Sequence, residues 1–180
     1  MHTAPRGLLM WVARVDEGFV FGDLTAATVD TLKGVPMLIE SADTRVRDRL
    51  LPETCDSADA EEQWRRHAVP ELERLFLSRA QLVRRDLAGL RLMPKSKNQL
   101  LLILDAHANA WLAALNAARL ALYELNDLTA ESMEPEAFGL ALPKQQEAIL
   151  RIHLLAEFQS VLLGDLEIES SGSFDDFVVE

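Results

Sequence analysis

The chain has 180 residues, 49% of them hydrophobic, a mean hydropathy of +0.03 and a net charge of −11. A length of this order suits one domain with a buried core, and the lone Cys55 excludes an internal disulfide or a cysteine-built metal cage. The longest aliphatic run, residues 100–104, is too short to span a bilayer, and the first residues lack a signal-peptide pattern, so the expectation is a cytoplasmic protein without membrane contact.

Residues 8–15 and 19–22 are β-prone and flank Asp16, Glu17 and Gly18, which predicts a hairpin over about 8–22 whose glycine takes positive φ. Thr25 to Lys33 suits a short helix, with Gly34 as its stop and Pro36 opening another toward Leu51. Pro52 to Asp59 is a break. Helices follow over 60–68 and 70–90, with Pro70 at their junction. In the second, Leu72, Phe76, Ala80, Val83, Leu87 and Leu90 make the core-facing seam, and Arg74, Arg84, Arg85 and Asp86 fall outside it. The short link through Pro94 makes this helix the antiparallel neighbour of the next.

The stretch 96–126 reads as one central helix that opens on a capping box, Ser96 with Gln99. It is apolar nearly all round, as suits the inside of a bundle, except for a seam of Asp105, Asn109, Asn116, Arg119 and Tyr123. Three readings of that seam stay open: the helix's wet edge, a buried hydrogen-bonded ladder, or a ligand or partner site. On another face His107 stands one turn before Trp111 and reads first as a core histidine with one nitrogen satisfied. Arg119 is expected to be a structural residue, partly buried and paired with a carboxylate from the C-terminal third. After a looser stretch with Thr129, Ser132 and Pro135 as caps, Pro143 opens a last helix that ends at Gly164 and packs beside the central one. Its polar strip is His153, Glu157 and Ser160. The fold class that results is mainly α: a helical bundle around a central apolar helix, with an N-terminal β-hairpin, in one domain over 1–164 followed by an acidic tail, 165–180.

Residues 110–122, Ala-Trp-Leu-Ala-Ala-Leu-Asn-Ala-Ala-Arg-Leu-Ala-Leu, resemble the A-W-L-x-x-L-N-x-x-R-L-x-L signature of an uncharacterised bacterial family, the domain of unknown function numbered twenty-seventeen. The resemblance implies the same order of parts: a strand-like start, a variable acidic middle and a last amphipathic helix. Members of that family are often encoded beside the ClpS adaptor of the Clp protease. It carries over no catalytic residue.

Charge is unevenly placed, with 12 basic against nine acidic residues over 45–97 but two against 13 over 120–180. The basic middle alternates with acids and lacks interleaved aromatics, so it reads as solvated helix faces and argues against nucleic acid. The tail mixes its acids with Leu166, Ile168, Phe174, Phe177, Val178 and Val179, enough apolar surface to dock. No glycine spacing fits a phosphate loop, and no histidine follows a glutamate at the spacing of a carboxylate di-metal bundle, so neither a cofactor nor a metal is implied. Two functions of different class remain. The first is a non-enzymatic interaction or regulatory protein with a protein partner or a second copy of itself, linked by family context to Clp-dependent proteolysis. The second is a small-molecule-binding protein or enzyme whose pocket joins His107, His153 and Glu157 between the central and last helices.

Overall fold

The structure, a computed structural model, describes residues 10–94 and 96–165. The expected hairpin start at Leu8 and the segment after Asp165 lie outside the described residues. Of the described residues 65% are helical, and an N-terminal antiparallel strand pair leads them, so the mainly-α class with a hairpin holds. The hairpin pairs β1 (Trp11–Arg14) with β2 (Gly18–Leu24).

The hairpin is half of a larger sheet. Residues 96–126 are not one helix: β4 (Gln99–Leu104) precedes α5 (Asp105–Leu125), and a two-residue β3 (Arg91–Leu92) completes the order β1-β2-β4-β3, antiparallel throughout. The Ser96–Gln99 capping box therefore does not form. An aliphatic run of this length carries no periodicity to tell strand from helix, and pairing with β2 on one side and β3 on the other decides for strand. Gly18 has another task than the positive φ expected of it. A Cβ there would stand 2.1 Å from the Ile103 carbonyl oxygen, so only glycine lets β2 meet β4 at that point.

Gly34 and Pro36 interrupt nothing either. Helix α1 (Ala26–Ile39) runs through both, capped by the Thr25 hydroxyl, because Val29, Leu32, Val35 and Ile39 recur at helical spacing and are buried together. That shared burial outweighs one lost backbone hydrogen bond at the proline. After α2 (Thr44–Leu50), helices α3 (Ala58–His67) and α4 (Val69–Ala88) meet at Pro70 as expected. A 3₁₀ turn (Glu131–Met133) and α6 (Pro135–Phe138) lead to α7 (Pro143–Leu163), where Gly164 takes the left-handed conformation, φ 78°, that stops a helix.

The core lies between one sheet face and the helices. Phe21, Leu101 and Ile103 point into it, Phe21 stacked on Phe158 of α7 with centroids 4.5 Å apart. Helix α5 runs through the middle with α7 along one flank and α4 along another. Both neighbours are antiparallel to it: Gln159 reaches Leu112 while Lys144 reaches Leu125, and Asp86 reaches Trp111 while Phe76 lies near Leu120.

Candidate functional site

The last turn of α4 and the first of α5 meet over β4, and there the interior holds a polar node. The Asp86 carboxylate, its side chain 8% exposed, accepts a hydrogen bond from the Trp111 indole at 2.7 Å and faces His107 Nδ1 at 2.9 and 3.0 Å. A carboxylate only accepts, so Nδ1 carries the proton, and the ring is held in one orientation. Trp111 itself is fully buried. Asp86 thus stands inside the core and not outside the α4 seam: the chain turns back through residues 89–104 and brings α5 against that last turn. Its proximity to Val83 and Leu87 is the one signal in the sequence. The node satisfies three polar groups that the core would otherwise strand, and among the described residues no hydroxyl or thiol bonds to it as a nucleophile would.

The seam on α5 is elsewhere. Asp105, Asn109 and Asn116 are exposed, and Tyr123 and Arg119 are half-buried. Asp105 opens the helix and pairs with Arg14 of β1, whose guanidinium also lies over the Phe19 ring. Arg119 is partly buried and paired, but its partner is not the expected carboxylate: Nη1 donates to Gln159 Oε1 at 2.6 Å, and Gln159 in turn donates to the Leu112 carbonyl. The Arg119 Nε is buried without a partner, and burial pushes the guanidinium below its ordinary range. This is a clasp between α5 and α7.

His107, His153 and Glu157 are not joined by any hydrogen bond among the described residues. His107 is committed to α4, while His153 is exposed on α7, one turn from half-buried Glu157. Burial pushes the Glu157 carboxyl up, and His153 pulls it partly back. No group of three or more His, Cys, Asp or Glu among the described residues is placed to hold a metal ion.

Sequence reasoning missed a trough. A cavity of about 220 Å³ opens between α1, α2 and α4, floored by Val46, Leu50, Leu51 and Phe76 with Leu77 at its edge. A second, of about 250 Å³, shares Leu50 and Phe76 and runs on to Asn116 and Leu120 of α5. Two ion pairs, Arg84 with Glu40 and Arg47 with Glu73, flank the first, and hydrogen bonds from Arg84 hold the Glu40 carboxyl below its usual range. Because its walls come from helices distant in sequence, no local pattern announces it.

These features define a class: a mainly helical domain on a small antiparallel sheet, with an interior polar node that is structural and an open apolar trough on its helical side. No helix among the described residues is long and apolar enough to cross a membrane. The chain belongs to the family described as a domain of unknown function (DUF2017), whose family model matches residues 6–166. No curated protein and no solved structure matches it.

Proposed function

We propose that this is a non-enzymatic interaction protein that receives an amphipathic segment of a partner protein in the trough between α1, α2 and α4. One observation carries the reading: two open cavities share Leu50 and Phe76 as lining residues, and Leu77 at the edge of the first is 46% exposed. Apolar troughs rimmed by charge serve helix-in-groove recognition.

Charge selects the occupant. Arg45, Arg47 and Arg49 of α2 and Arg74 and Arg84 of α4 are each paired with an acid, but Arg79 of α4, which lines the second cavity over the Phe76 ring, has no carboxylate partner among the described residues. A segment with acidic residues beside its apolar stripe complements Arg79. A regulator or adaptor in Clp-dependent proteolysis is the specific form of this role that the family context suggests.

Two fluorescent helical peptides with the same apolar stripe, one flanked by acids and one by bases, test the reading by anisotropy. The acidic peptide should bind at least tenfold tighter, lose binding in Leu77→Asp and keep it in Leu140→Asp, a substitution at a leucine that is 91% exposed. Equal binding of both peptides, or an unaffected Leu77→Asp, would overturn it. Purified ClpS in place of the peptide tests the Clp form.

A further inference from the structure

The sheet has two apolar faces, and the helices account for one. On the other, strand alternation aligns Ala13, Val20, Leu100 and Leu102 through the register pairs Ala13–Val20 and Val20–Leu102. With Val15, Trp11 and Met93 they form a separate cluster that contains no helical side chain among the described residues. A sheet face open to water leaves its side chains substantially exposed. Yet Val20 and Leu100 are 0% exposed, Ala13 1% and Val15 3%. Trp11 supplies part of the cover, lying so close across Gly22 that a Cβ there would be 2.0 Å from its ring. Full burial of the row calls for a further layer.

We infer that the layer is the chain's own C-terminal segment, residues 166–180, and that it docks on the sheet face away from the helices. Its point of departure is right. The last turns of α7 rest on the helix-side face of the sheet through Phe158 against Phe21, and the left-handed Gly164 turns the chain beside the sheet, from where the segment rounds it to the other face. Its length is sufficient: the 15 residues span up to about 50 Å extended, against a width of about 15 Å for four strands. Chemistry matches as well. Leu166 and Ile168 alternate with Glu167 and Glu169 at the period of a strand, and Phe174, Phe177, Val178 and Val179 supply further apolar area. Lys97, exposed before β4, stands where it can meet the acids. The nine residues before Met10 carry a base, Arg6, and no acid, and lack that complementarity. The family match ends at residue 166, where the segment begins.

A benzophenone side chain at position 177, irradiated in dilute full-length protein, tests the inference by mass spectrometry. Crosslinks within one molecule to Met93, Trp11 or Leu102 are expected. Crosslinks to Phe76 or Leu77 would overturn it and make the segment an occupant of the trough, and crosslinks between molecules would overturn it in favour of a second copy. Truncation after Asp165 provides the second measurement: a severalfold rise in binding of an apolar dye, reversed by the peptide 166–180 added in trans. No rise in a truncated protein that stays folded by circular dichroism would also overturn it.

Discussion

Helix α5 carries polar residues on two sides, and the two sets behave oppositely. Asp105, Asn109 and Asn116 form a regular pattern and are exposed; His107, with Trp111 a turn later, breaks the apolar face and is anchored on a buried carboxylate. Regularity marks the side that water covers, since a periodic polar row needs no partner. Irregularity marks the side where the core must satisfy each group in turn. The node is accordingly where this fold is most sensitive to substitution.

Trp111→Ala sharpens the contrast most. It empties a fully buried ring and strands Asp86, and is expected to cost about 3–5 kcal/mol by the denaturant midpoint. A loss below about 1 kcal/mol would break the comparison. Asp86→Ala should follow at roughly 2–3 kcal/mol, because the Trp111 indole and His107 Nδ1 both lose their acceptor.

Arg119 sits between the two regimes. Pairing with a carboxylate would have made Arg119→Leu cost several kcal/mol, but a neutral amide partner leaves no stranded charge, so about 1–2 kcal/mol is expected. A larger loss would mean that the clasp belongs with the buried node. Asn109→Ala, on the wet side, should stay within about 0.5 kcal/mol.

What was legible follows the same division. The bounds of α7 were readable because Pro143 and Gly164 are local signals that act within one turn, as were the Pro70 junction and the hairpin. Elements decided by partners were not. Residues 99–104 become a strand only because β2 offers them an edge, and α1 survives Gly34 and Pro36 only because its apolar face has a core to enter. Of the candidate site, His107 was readable as a core histidine, whereas Asp86 looked like one more charge on an amphipathic helix. Its role depends on where the chain returns 21 residues later. The trough, built from α1, α2, α4 and α5, had no local sign at all.

The smallest effect expected is at Glu157, and its sign carries the information. The residue is half-buried on α7, and loss of hydration there favours the neutral acid more than His153, one turn away, favours the carboxylate. Its folded pKa therefore lies above the unfolded value of about 4.3. A group raised in this way contributes its full stability below the unfolded pKa and loses it as pH rises through the folded one. Where the carboxylate is ionised its dehydration is then a small net cost, since solvent screens a group that is only half-buried. Glu157→Gln removes that charge with almost no change of shape, so the variant should be slightly more stable than the parent at neutral pH, with the gain shrinking toward zero below about pH 4. Urea midpoints at both pH values measure it. A variant less stable at neutral pH would show that the carboxylate is held by an attraction stronger than its dehydration, and would make His153 with Glu157 a second buried-type contact on a face that otherwise behaves as a wet one.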